Sequence, residues 1–142
     1  MGNRIDFIKE KARVDKRIIY CGLLPRTEVF KKQREATVLV NPRTPEGEFT
    51  KYSFPSKTME YLASGVPTLI YRLPGIPEEY YNYCFSISEL GVDALSRKID
   101  EILSMNNNER ADIGAKARVF IKSQKNPYRQ CEKVLDLMRY IK

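Results

Sequence analysis

The sequence predicts an α/β domain: a parallel sheet flanked by helices and closed by a helical C-terminal tail. Three observations carry this. Short runs of β-branched and aromatic residues alternate with helix-periodic stretches up to Ser88. Turn residues (Gly22, Asn41-Pro42, Gly65) fall between them. After Gly91 the pattern is helical to the end of the chain. The length, 142 residues, fits one domain around one core.

Taken in order, residues 3–13 carry Ile5, Ile8 and Ala12 at helical spacing. RIIYCG at 17–22 predicts a buried strand ending in glycine. Pro25, favourable in a first turn, opens a helix to about Glu35. ATVLVNP at 36–42 is the clearest strand, stopped by Asn41-Pro42. The polar stretch RTPEGEFTKYS has no usable periodicity and reads as a loop, and loops of that length are often functional. A helix over 55–65 is closed by Gly65, and a strand follows at 66–72. LPGIPEEYYN runs into a short helix before a strand at 83–88. Helices are predicted over 91–104, 108–124 and 127–141, broken by Asn106-Asn107-Asn108 and Asn126-Pro127. Strand-helix alternation of this kind makes a parallel sheet, and such sheets bind ligands beyond the carboxyl ends of their strands. The chain opens on a helix where a doubly wound domain opens on a strand. A missing first strand, and a missing partner domain, are therefore expected.

Composition narrows the chemistry. There is no histidine, the commonest general base and metal ligand, and no metal cluster is evident. Cys21, Cys84 and Cys131 are scattered, which suits free thiols in a reducing compartment rather than a disulfide framework. The N-terminus is charged and carries no signal-peptide core, and no apolar run reaches membrane-spanning length. Gly2 stands where a myristoylation pattern needs it, but Asp6 takes the hydroxyl position. The expected location is cytoplasmic. The net charge of +7 implies an anionic partner, and its even spread argues against nucleic acid. The same charge would suit peripheral contact with the acidic inner face of a membrane.

One helix start breaks two local rules together. With Pro55 at the first helical position, Phe54 is the expected N-cap, and phenylalanine cannot cap. The amides of Ser56, Lys57 and Thr58 then lack a side-chain acceptor, and Lys57 opposes the helix dipole. A bound phosphate would satisfy both. Capping by Ser53 would instead make Lys57 an ordinary surface residue. Met59, Leu62, Ala63 and Val66 form the core face, and Ser56, Glu60 and Ser64 a polar stripe beside it. Glu60 thus sits about one turn, roughly 5–6 Å, below the phosphate position. A carboxylate there can accept from ribose hydroxyls, as an acidic residue does in dinucleotide-binding folds. An i, i−3 pair with Lys57 is the plainer alternative.

The stretch SFPSKTMEYLASGVPTL resembles the C-terminal nucleotide-binding domain of retaining glycosyltransferases built from two Rossmann-like domains. RIIYCGLLPRTEVFKKQREATVLVNP resembles the segment that precedes it in that family. The likeness covers residues 17–88 well and the helical tail loosely. It implies donor binding at Glu60, Lys57, Ser56, Thr58 and Pro55, with Gly22, Leu23 and Leu24 lying where the family packs the nucleotide base. A first glutamate, which in many relatives contacts the sugar, is replaced here by Tyr52. The sugar contact then falls weakly to Tyr52, Ser53 and Phe54, since Glu46 and Glu48 do not match the spacing. The donor implied is a UDP- or GDP-linked sugar, with no metal and no cofactor. An N-terminal domain would supply the acceptor site and further catalytic groups; none is assigned in this chain, which alone would bind nucleotide weakly and transfer nothing efficiently. Polysaccharide or glycoconjugate synthesis is the implied setting.

Three other readings remain. A sugar-nucleotide 2-epimerase shares the architecture, but the PSK-x-x-EY form favours transfer. A non-catalytic α/β nucleotide-binding or regulatory module of receiver type needs acidic strand ends, where this chain has Asn41-Pro42 and Gly22. Nucleic-acid binding would use Tyr80, Tyr81 and Tyr83 as stacking platforms, positions that also suit packing.

Overall fold

A computed structural model describes residues 4–140. The lipidation pattern at Gly2 and the outermost helical positions, 3 and 141, lie outside the described residues. The chain divides between Lys31 and Lys32 into two units.

The first unit holds helix α1 (Ile5–Val14), none of whose residues is buried. A turn follows in which the Arg17 guanidinium donates to both oxygens of Asp15, at 3.0 and 2.6 Å. Residues 17–22 form no strand, which corrects the sequence expectation. Their side chains explain it: Ile18, Ile19, Tyr20 and Cys21 are all exposed. β-Propensity reflects packing on a pleated surface, and this run has no ladder partner among the described residues. Helix α2 (Arg26–Glu35) spans the division and ends in the second unit.

The second unit is built on three parallel strands, β1 (Leu39–Asn41), β2 (Thr68–Tyr71) and β3 (Phe85–Ile87), in the order β1-β2-β3. Val40 pairs with Leu69, and Ile70 with Ser86. All four residues of β2 are buried, as expected of a central parallel strand covered on both faces. Helix α3 (Ser56–Ser64) connects β1 to β2. A 3-10 helix, Glu78–Tyr83, takes the place of a full helix between β2 and β3. Helices α4 (Val92–Ser104), α5 (Asn107–Gln124) and α6 (Pro127–Tyr140) complete the chain. The α/β class and the helical C-terminal region are therefore those the sequence predicts.

The caps follow local chemistry. The Asn106 side chain accepts from the Asn108 amide at 2.8 Å, and Asn126 Oδ1 from the Arg129 amide at 2.9 Å. Gly65 closes α3 with φ of 84°, a left-handed conformation that glycine adopts without strain. The core centres on Leu62, Leu69, Ile70 and Ile102, with Ala117, Phe120 and Ile121 contributed by α5. Each fully buried leucine or isoleucine contributes about 1.5–3 kcal/mol. Helices α3 and α5 meet closely: a Cβ on Gly114 would lie 2.2 Å from the Gly65 carbonyl oxygen. That approach fixes where α3 stands over the sheet. Among the described residues, no helix is long and apolar enough to cross a membrane.

Candidate functional site

The site lies at the carboxyl end of β1, where α3 begins. β1 ends on Asn41, whose side-chain amide donates to Thr58 Oγ1 at 3.2 Å. The Thr58 amide in turn donates to the Pro55 carbonyl at 2.9 Å. Thr58 is fully buried, so it pins the first turn of α3 to the sheet, and its own amide is already engaged. Ser56 and Lys57 stay exposed on that turn.

The N-cap is Pro55, not Phe54 as the sequence suggested. Pro55 has φ of −69° but ψ of 115°, which is extended, so the helix starts one residue later. Among the described residues no side chain caps it. The hydroxyl of Ser53, the alternative cap, accepts from the Arg43 guanidinium at 2.9 Å instead. The guanidinium also lies 4.8 Å from the centre of the Phe49 ring. This fixes a cation in the loop that leads into α3.

That loop is built rather than loose. Glu48–Lys51 form a 3-10 turn. Thr50 is buried, with its hydroxyl 2.7 Å from the Gly47 carbonyl and 3.0 Å from that of Pro45. The Gly75 amide donates to the Thr50 carbonyl at 2.9 Å, and a Cβ on Gly75 would stand 2.7 Å from the same oxygen. Only glycine allows the loop to lie this close to the segment leaving β2.

Glu60 is half-buried one turn into α3. Its Oε1 accepts from the side-chain amide of Gln33, on α2, at 2.5 Å. Gln33 is 7% exposed and is the one buried residue of α2. Among the described residues Glu60 forms no ion pair, with Lys57 or any other cation. Burial first, and the Glu60 carboxylate second, push the neighbouring Tyr61 phenol above its ordinary pKa. The result is a carboxylate held by a neutral donor, with acceptor capacity left over.

The remaining expected residues are placed as follows. Gly22, Leu23 and Leu24 belong to the first unit; Gly22 has φ of 63°, Leu23 is exposed and Leu24 half-buried. Tyr52 is exposed, and so are Glu46 and Glu48. Phe54 is half-buried, with its ring 4.9 Å from that of Tyr80, so its role is packing. Tyr80 and Tyr81 are buried and Tyr83 stacks on Phe120 at 4.2 Å, which commits these rings to the core.

Sequence reasoning missed Gln33 and Arg43. Each carried a signal. Gln33 follows Val29 at helical spacing, where an apolar residue is the ordinary choice. Arg43 lies directly after Asn41-Pro42, at the strand end where ligands bind. No group of three or more metal-ligating side chains occurs among the described residues. In comparisons with protein-family models, with curated proteins and with solved structures, nothing matched this chain.

Proposed function

We propose that this chain binds the nucleoside diphosphate portion of a sugar nucleotide and serves as the donor half of a retaining glycosyltransferase of the two-Rossmann-domain kind. The observation that carries the reading is Glu60: a half-buried carboxylate at the carboxyl edge of a parallel sheet, one turn into an uncapped helix, held by an amide and paired with no cation among the described residues. In this reading Glu60 accepts from the ribose hydroxyls. The diphosphate lies over the first turn of α3, where the helix dipole favours negative charge. Lys57 and Arg43 add positive charge there and would stabilise the diphosphate as it departs from the sugar. The acceptor, and the groups that act on it, belong to a second domain.

The test is calorimetric titration of the chain with UDP, GDP and ADP, repeated on Glu60→Ala. One of the three is expected to bind, and Glu60→Ala to weaken it by about tenfold, the loss of a hydrogen bond to a charged group. No binding by any of them, or tighter binding of random-sequence DNA, would remove the reading.

A further inference from the structure

We infer that Gln33 is the positioning residue of this site: it fixes the Glu60 carboxylate so that the site selects a ribonucleotide, with both ribose hydroxyls, over its dideoxy counterpart. This rests on the reading of Glu60 given above and goes beyond it, naming the group that confers ribose selectivity.

Packing alone does not explain Gln33. A buried amide is unfavourable unless hydrogen-bonded, and an apolar side chain would fill the same space without that penalty. Yet Gln33 is the residue α2 buries, and its Nε2 meets Glu60 Oε1 at 2.5 Å across 27 positions of sequence. The identity of the donor matters. A lysine or arginine would neutralise Glu60 and compete with an incoming hydroxyl. A neutral amide holds Oε1 and leaves the carboxylate its full charge, with Oε2 to accept. Glu60 therefore gives up its rotamer freedom during folding rather than on binding, and less ordering remains to oppose the ligand. A vicinal diol, two donors side by side, is the partner this arrangement suits.

The experiment compares the nucleoside diphosphate that binds best with its 2′,3′-dideoxy form, by calorimetry on the full chain. Wild type is expected to prefer the ribonucleotide by about tenfold. Gln33→Met keeps the volume and removes the donor. It is expected to cut the preference below about threefold while leaving dideoxy affinity within about twofold. Gln33→Asn, which withdraws the donor by one methylene, is expected to do the same, and circular dichroism reports whether each variant is folded. A Gln33 variant that weakens both nucleotides equally, or is folded and keeps the preference, overturns the positioning role. If Glu60→Gln abolishes the preference while the Gln33 variants keep it, only the inference about Gln33 fails. A Glu60→Gln chain that keeps the preference, or a wild type that binds neither nucleotide, sinks the reading of Glu60 and this inference with it.

Discussion

Glu60 and Glu79 present the same situation with opposite outcomes. Each is a carboxylate that meets a buried side chain from a distant part of the chain. Glu79 meets Lys125, whose side chain is 7% exposed and whose ammonium lies 5.0 Å from the Tyr80 ring and 5.2 Å from that of Phe120. Lys125 is also the C-cap of α5, where its backbone amide donates to the Ile121 carbonyl at 3.0 Å. In that region each charge is partnered, anion by cation and cation by aromatic faces, and the helix end is met by the Lys125 backbone amide and the Asn126 side chain. Around Glu60 the accounts stay open. The carboxylate meets an amide, the helix start has no side-chain cap among the described residues, and Lys57 stands at the end of the dipole that disfavours it. Closed electrostatics mark architecture, and open ones mark a candidate site.

The largest effect is expected where the two regions share a strut. Gly114→Ala places a Cβ 2.2 Å from the Gly65 carbonyl oxygen and 3.1 Å from the Pro67 nitrogen, both backbone atoms with little room to move. Urea unfolding should show a loss of roughly 3 kcal/mol, and nucleotide binding should fall with it. Unchanged stability would mean that the α3–α5 approach does not hold the site in place.

Lys125→Met separates the regions. It keeps most of the apolar stem over Tyr80 and Phe120 and removes the charge. Stability should drop by about 1–2 kcal/mol, since Glu79 is half-exposed and can rehydrate. Nucleotide affinity should not move. Glu60→Gln should do the reverse, and a swap of the two outcomes would break the comparison.

At neutral pH the smallest effect comes from a titration in the closed region, felt only in alkaline solution. Burial pushes the Cys84 thiol up to about 12, and the Arg72 charge opposes this only weakly. Because the folded value lies above the ordinary 9.0, the associated stability is fully present below pH 9 and is lost as pH rises toward 12. At pH 8, iodoacetamide should modify the exposed Cys21 and Cys131 and leave Cys84 intact, as peptide mass mapping would report. Rapid labelling of Cys84 would show that the region around the 3-10 helix opens readily.

Much of this was readable in advance wherever a feature is local. Gly65 announced the end of α3 because a left-handed cap needs glycine, and Asn126-Pro127 announced α6 because one residue caps and the next cannot continue a preceding helix. The missing cap of α3 was legible for the same reason, although Pro55 displaced the cap by one residue. RIIYCG misled because its composition describes a strand's side chains and not the neighbour a strand requires. Arg43 and Gln33 escaped because the importance of each lies in a partner, ten and 27 positions away.

By itself, then, the sequence determined the α/β class, the left-handed cap at Gly65, the breaks at Asn106-Asn107-Asn108 and Asn126-Pro127, and the polar stripe that places Glu60 one turn into α3. These follow from backbone preferences and side-chain period, which act over a few residues. Tertiary structure alone decided that residues 17–22 would form no strand, that Ser53 would serve Arg43 rather than cap the helix, and that Glu60 would meet an amide instead of Lys57. Each of those outcomes is a competition for a hydrogen-bond partner or a pairing edge. Such competitions are settled only when distant segments are brought within a few ångströms.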